Sequence, residues 1–590
     1  MKWCLLSMAA TLSTVLACTN GGLKTDIAEG RAPANEVRIV LKAEPLGLNP
    51  ILSVQSISRY LTEQIFQTLN SQDPQTFELR PGLASLPETV RLPDGGLSYH
   101  YEIDSAATWP NGKPVLASDV VFSLKVLLNP LVEAGPFRPY YSMIRDVAVD
   151  PEDPRSFDVI TRGPYLLAAQ AIGDLYVYPE YAYDPEGLLR DVPLDELSDP
   201  ERADELVKEI KELRQFAERF NDPAVGYEPD RVVGSGPYEL VSWEPGDRLR
   251  LRRRDNYWAR DRSEEWLAAY PQNLTFLIIP DNTTTANALR DHLVDVVVDM
   301  PIEQYQDLRD EEYLQQYYDF VTVPSFKYYS ILLNQADPLL RDSLTRRALA
   351  HLVDVDQIIT QLLPGLAERI IGPVLPAKDY YNRELPAIAY DVEKARDLLR
   401  RAGWRDTNDN HILDKVIDGE RRELSFELLS TPSPTSEAVA LEIAQSARAV
   451  GVDIRVMRQE PRTLLQELTT GNFTASFYGQ GFEPTPDDFS QVWSSTSVPP
   501  SGTNRANFQN AEADSLIVRI ARTIDPQSRA PLYRRFQEII YDNQPMIFLY
   551  SPFDRLVVSK RLEYAPTSLA PNVNFNTLRI RPTGTGGEAQ

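Results

Sequence analysis

Cysteine is almost missing from this chain of 590 residues: Cys4 and Cys18 are the only two, both within the first eighteen positions. The body of the chain therefore has no disulfide framework, no zinc–thiolate site and no cysteine nucleophile. Histidine is nearly as scarce. His100, His292, His351 and His411 are scattered, without the HExxH spacing of a zinc helix. No run of about 18 apolar residues occurs, which excludes a polytopic membrane protein. Positive charge is in deficit, with 60 Lys+Arg against 85 Asp+Glu and a net charge of −25. That balance argues against nucleic-acid binding, which needs a basic face. Neither a GxxxxGK[ST] phosphate loop nor a GxSxG nucleophile elbow is found. No pair among the many carboxylates stands out as catalytic. With 43% hydrophobic and 25% charged residues the bulk of the chain is no disordered polymer. Its length suggests three or four domains at roughly 150 residues each.

The start of the chain carries Lys2, a short apolar stretch from Trp3 to Ala17, and then Cys18 followed by Thr19, Asn20, Gly21 and Gly22. One positive charge, a short apolar core and a small residue before a cut read as an export signal over residues 1–17. The ending Val15-Leu16-Ala17-Cys18 resembles a bacterial lipobox, although Leu16 is bulkier than the usual residue there. Cys18 is then the lipidated N-terminus, on a tether of residues 18–34, and its acyl chains hold the protein on a membrane. The location expected is the periplasm or cell envelope. Asn20 is not the aspartate associated with retention at the inner membrane.

Beyond the tether, helical and strand patterns alternate, which implies an α/β fold. Branched residues at 37–43 predict a strand, and residues 58–69 a helix. Strands are expected at 97–103 and 156–161. Strand 274–280, helix 284–293 and strand 294–298 form a βαβ unit with parallel strands. In a polar insertion over 182–232, Asp199 caps a helix with Pro200 in its first turn. Its apolar stripe is Leu206, Ile210, Leu213, Ala217 and Phe220. Residues 248–254 alternate arginine and leucine; a strand with Leu249 and Leu251 inward and arginines facing acids outward is favoured over a phosphate site. Asp391 caps a helix that Gly403 ends. A helix over 435–450 precedes a strand over 453–457, and residues 583–590 read as a disordered tail. The segment Asp406 to Asp414 imitates half of a calcium loop. His411 stands where that loop needs glycine, and Ile417 where it needs glutamate, so it reads as a solvated turn.

Four segments taken in order resemble the large bacterial solute-binding proteins of family 5, the peptide- and nickel-binding components of ABC importers. The first runs Ala107-Thr108-Trp109, Gly112, then Ala117-Ser118-Asp119-Val120 and Ser123. The second is Gly234, Gly236-Pro237-Tyr238, with Asn256-Tyr257-Trp258 beyond it. The third is Leu333-Asn334, Arg346-Arg347-Ala348-Leu349 and Asp354 to Asp356. The fourth is Tyr390-Asp391, Glu393-Lys394-Ala395, and Leu398 through Gly403-Trp404. Read alone, these residues make turns, caps and core anchors; Gly234 and Gly236 suit a bend at a crossover between lobes.

The resemblance implies a periplasmic-binding-protein fold of type II in its large three-domain form, hinged between two ligand-clasping lobes. One lobe would combine residues 35–75, 230–305 and 535–582, a second domain would be 76–229, and the distal lobe 306–534. It further implies binding without catalysis, with no cofactor or metal. The expected ligand is a short peptide, or alternatively a sugar, opine or nickel chelate. A non-transporting receptor or sensor is a second alternative, and a secreted hydrolase a distant third. Expected partners are ABC permease subunits in the inner membrane, the protein being a monomer. The implied ligand strand and its acidic amine anchor fall at Tyr478, Gly479, Gln480, Gly481, Phe482, Glu483 and Asp487. Glu483 could reach an ammonium, Phe482 could not, and Asp487 could equally cap the next helix. Tyr328, Tyr329 and Asn334 belong to the implied cleft-facing strand. Trp493 and Arg505 follow the anchor loop, Arg505 suiting a ligand carboxylate.

Overall fold

The computed structural model describes residues 35–135, 137–500 and 502–582. The expected export signal, Cys18, its tether and the tail after residue 582 lie outside the described residues. Among the described residues no helix is long and apolar enough to cross a membrane.

The framework is one twelve-stranded sheet. Glu36–Leu41 alternates with nothing: Val37, Ile39, Val40 and Leu41 are all buried, as for a strand covered on both faces. It pairs in parallel with Asn273–Ile278 on one side and Val296–Val298 on the other. The βαβ unit read from the sequence is thus present, and the first strand of the chain is inserted between its two strands. Arg248–Arg253 and Tyr238–Glu244 complete that end of the sheet. Leu249 and Leu251 point into the core, while Arg252 meets Glu239 and Arg248 meets Asp247. The other end runs Lys327–Leu333, Ala475–Gly481, Ser425–Ser430 and Asp453–Arg458. Both ends share the fourteen-residue strand Met546–Ser559. Residues 546–550 of it pair with Lys327–Leu333, and residues 556–558 pair with Val296–Val298.

A separate four-stranded antiparallel sheet holds the expected strands at Leu97–Glu102 and Ser156–Thr161. Helix Ala117–Leu128 packs beside it. Asp119 is the third residue of this helix and not its cap; its carboxylate accepts from the Leu116 N–H at 3.0 Å and from the Trp109 indole at 3.1 Å. That explains the Trp-to-Asp spacing of the first sequence segment as a fold anchor. Trp109 and Trp404 are buried, and Trp258 is half-buried with its indole on Gln67.

One expectation needs correction. The stripe from Leu206 to Phe220 does not lie on one helix: Pro200–Glu209 and Lys211–Phe220 are separated by Ile210, which is extended. On a straight helix Phe216 would stand about 80° off the stripe. Within the second helix Phe216 stacks on Phe220 at 5.4 Å, and the break turns this pair so that Phe216 meets Phe122 edge-on at 5.9 Å. Gly234 and Gly236 lie at the bend over residues 235–237, as expected, and are required by contact as well. A Cβ on Gly234 would lie 2.2 Å from the Ile65 carbonyl oxygen, and the Gly236 N–H donates to that same oxygen at 2.8 Å. Helix Pro526–Asn543 brings Tyr533, Phe536 and Ile540 into a core shared with Phe489 and Trp493. The chain passes from the distal end of the sheet to the proximal end within Met546–Ser559.

The crossing is locked by charge. Asp295, 1% exposed, takes Arg38 at 3.1 Å and Arg561 at 2.7 Å. Burial alone pushes this carboxyl up, and the two guanidiniums more than offset it, leaving it below the usual carboxylate range. Asp295→Ala strands two half-buried cations and should cost about 2–3 kcal/mol at pH 7. Because the folded value is the lower one, the stabilising contribution is full above the unfolded value near about 3.9 and fades as pH falls through the folded value. Urea unfolding of both proteins should therefore give a gap at pH 7 that narrows on acidification; a constant gap would contradict this role.

Candidate functional site

A cavity of about 1610 Å³ opens between segments distant in sequence, above the roughly 300–1,000 Å³ of usual small-molecule sites. One wall is helix Ser56–Ile65, which presents Arg59 and Glu63 at i, i+4 spacing on one face. A second wall is residues 163–176, with Tyr165, Asp174 and Tyr176. The third comprises the end of strand Ala475–Gly481 and the loop after it. At its edges lie Arg80, with its guanidinium over the Trp266 ring at 5.2 Å, and the exposed Arg522.

Contacts across the cavity hold these walls together. Arg59 pairs with Glu63 at 2.9 Å and reaches Glu483 at 3.8 Å. The Tyr165 hydroxyl donates to Asp488 at 2.9 Å, and the Leu166 N–H donates to the Ala521 carbonyl at 2.8 Å. Glu63 pulls the Arg59 guanidinium up, against burial. Burial in turn pushes the Glu63 carboxyl up, against the pull of Arg59. Asp174 lines the cavity with its side chain exposed to the water inside, and the walls around it push its carboxyl up to about 7 by desolvation, against its hydrogen bond from Gln170.

The strand Ala475–Gly481 is paired on one side only for most of its length. Its partner Lys327–Leu333 runs antiparallel, with Tyr329 opposite Gly479 and Lys327 opposite Gly481. The Phe482 N–H donates to Phe326 at 2.7 Å, and the Asn334 N–H to Thr474 at 3.0 Å. These are hydrogen-bonded pairs, so by the alternation of an antiparallel ladder Tyr328/Gln480 is one too, and Tyr329/Gly479 and Lys327/Gly481 are not. The N–H and C=O of Gly479 and Gly481 therefore point the other way. On that side the neighbouring strand Ser425–Ser430 reaches only Ala475 and Ser476. A length of strand edge is left without a ladder partner, and Gln480 and Gly481 of it line the cavity. Absence of side chains at 479 and 481 keeps the edge open. A Cβ on Gly479 would strike the Tyr329 ring, whereas one on Gly481 meets nothing closer than 4.0 Å.

Of the residues expected from sequence, Gln480, Gly481, Phe482, Glu483, Asp487 and Trp493 line the cavity. Gly479 is exposed on the strand edge next to Gln480, and the others lie behind that lining. Tyr328 is buried between Phe482 and Phe548, and Tyr329 stacks on Phe477 and Tyr550. Asn334 is buried, donating to the carbonyls of Gly471 and Phe473. Arg505 donates to the Tyr478 hydroxyl at 2.8 Å and covers its ring, so this guanidinium serves the protein. Sequence reading missed Arg59, Glu63, Tyr165, Asp174 and Lys378. Only the spacing of Arg59 and Glu63 was visible locally; the rest come together through tertiary structure alone. The calcium-like turn is closed by Thr407 donating to Asp414, and no group of three potential metal-ligating side chains occurs among the described residues.

Comparison with known proteins places this geometry. The model of bacterial extracellular solute-binding proteins, family 5 Middle, matches residues 78–502. The oligopeptide-binding protein AppA of Bacillus subtilis is 25% identical over 527 residues, covering 88% of this chain and 87% of its own. The structure of that protein with a nonapeptide has a TM-score of 0.68 at 22% identity, covering 93% and 99% of the two chains. NikZ from Campylobacter jejuni, in complex with Ni(L-His), has a TM-score of 0.67 at 20% identity, covering 90% and 95%. The expected periplasmic-binding-protein fold is therefore the fold observed.

The position of Asp174 has a measurable consequence. Its folded value, raised to about 7, exceeds the unfolded one, so the folded state holds the extra proton. Stability relative to Asp174→Asn should fall as pH rises from about 4 to about 7 and then level off. Melting temperatures of both proteins at pH 5 and pH 8 check this. Parallel shifts in the two would show that Asp174 titrates normally.

Proposed function

The chain belongs to the bacterial extracellular solute-binding proteins of family 5, and on that premise we propose that it is the capture component of an ABC importer for short peptides. The observation that carries this reading is the unpaired edge at Gly479 and Gly481, beside a cavity too large for a single small solute. An extended peptide has free N–H and C=O groups at the spacing of a strand and can add itself to such an edge. Its side chains would then project alternately into the wet volume lined by Tyr165, Tyr176, Trp266 and Phe482. Main-chain pairing is indifferent to side-chain identity, which suits a carrier that takes many sequences.

In this reading the ligand enters an open form and the walls then swing together. The links Arg59–Glu483 and Tyr165–Asp488 belong to the closed form. Ligand bonds made only in that form shift the equilibrium towards it. The closed form is what a permease in the inner membrane would meet. Lipidation at Cys18, export to the cell envelope and action as a monomer complete the proposal. The peptide named in the AppA structure supports it; the nickel chelate named for NikZ marks the main alternative within the same fold.

Gly481→Pro separates edge pairing from mere cavity filling, because it removes the outward N–H of the edge and spares the ladder to Lys327–Leu333. Native mass spectrometry of the wild type, purified from cells without refolding, should show a spread of adducts fitting short peptides. Loss of the main-chain bond from this N–H should weaken binding about tenfold or more, leaving the variant largely empty, with the melting temperature of wild type stripped of its ligand. A variant carrying the same adducts as the wild type would refute the edge, and a single non-peptide mass would move the function to another solute.

A further inference from the structure

Behind the cavity wall formed by residues 482–489 lies an ammonium group with no access to bulk water. Lys378 is 6% exposed, and its Nζ donates to the Glu483 carbonyl at 3.0 Å and to the Thr485 carbonyl. The third direction is taken by Asp487, 3.4 Å away and 8% exposed. All three donors of the ammonium are thereby used. Asp487 is held from its other side by the Tyr380 hydroxyl, which donates to the carboxylate at 3.0 Å and accepts the Asp487 N–H at 3.1 Å. The Tyr533 hydroxyl donates to the Asp487 carbonyl at 2.6 Å, and the two tyrosine rings stack at 4.0 Å.

Asp487 belongs to the cavity lining, whereas Lys378 stands behind it. A carboxylate out of water needs a counter-cation. At a binding wall that cation can come from the ligand or from the protein, and here the protein supplies it. Burial lowers the Lys378 ammonium and raises the Asp487 carboxyl. Whichever atom carries the shared proton, the pair presents zero net charge to the cavity. The other acids of the loop are also occupied, Asp488 by Tyr165 and Glu483 by Arg59.

We propose that Lys378 is a specificity-determining residue: a built-in ammonium that fills the cation position at Asp487, so that this wall accepts ligands without requiring a ligand amine. The step from charge to specificity rests on the peptide reading above; the charge role itself does not. Removing Lys378 should turn the same wall into an ammonium-binding site.

The test uses the wild type, Lys378→Ala, Asp487→Asn and the double variant at pH 8. The first probe is n-propylammonium chloride against sodium chloride at equal ionic strength, read by melting temperature. The amine should raise the melting temperature of Lys378→Ala by filling the vacated position, and leave the wild type and the double variant unmoved. The second probe is calorimetric titration with trialanine and N-acetyl-trialanine. Wild type and Asp487→Asn should discriminate between them by less than about threefold, and Lys378→Ala should favour the free amine by about tenfold or more. Should Lys378→Ala not fold, Asp487→Asn alone decides: a preference for the free amine in the wild type that this variant abolishes overturns the proposal. So does a folded Lys378→Ala that ignores propylammonium. Rescue by propylammonium with neither peptide bound would sustain the charge role of Lys378 and count against the peptide reading instead.

Discussion

The structure depends on one length of backbone pairing, the strand Met546–Ser559. Its early residues hold Lys327–Leu333, which in turn holds the strand ending at Gly481; its late residues hold Val296–Val298 and, through it, the first strand of the chain. The helix carrying Arg59 packs against that proximal end. A single strand thus fixes how far Arg59 stands from Glu483, and so the width of the cavity. Hydrogen-bond ladders are stiff along the strand and twist across it. A strand shared by both ends of a sheet is therefore a natural place for relative rotation without loss of pairing. The buried Asp295, tying Arg38 to Arg561, keeps the proximal half from fraying.

Electrostatics then decide what the cavity can hold. The chain carries a net charge of −25, yet the acids lining the cavity are largely answered from within: Glu63 and Glu483 by Arg59, Asp487 by Lys378, Asp488 by the Tyr165 hydroxyl. Asp174 is the least answered of them, with a hydrogen bond from the Gln170 amide and the attraction of Arg59, and desolvation by the surrounding walls pushes it towards its neutral form. Such a lining presents hydrogen-bonding groups and aromatic faces with little fixed charge. Affinity must then come from main-chain pairing and buried apolar area, both blind to ligand sequence, which is the behaviour a scavenging carrier needs.

Much of the framework was legible in the sequence because its determinants are local. Caps such as Asp199 and Asp391, the βαβ alternation at 273–298 and the Leu249/Leu251 alternation each act within a few residues. The resemblance also pointed to the strand with glycines at 479 and 481, which the fold leaves with an unpaired edge. What escaped reading was tertiary. The helix break at Ile210 serves Phe216, whose partner Phe122 is far away in sequence. Gly234 is small because the Ile65 carbonyl lies against it. Lys378 looks like any surface lysine until the loop carrying Asp487 is folded onto it.

The central claim is that the unpaired edge is where ligand binds. Amide hydrogen exchange at Gly479 and Gly481 tests it most directly, comparing protein as purified with the same protein unfolded, dialysed and refolded to strip bound solute. The account predicts slow exchange at these amides in the first sample and fast exchange in the second, with Tyr328 and Gln480 slow in both. Equal exchange in the two samples, alongside ligand-dependent protection elsewhere in the cavity, would contradict it.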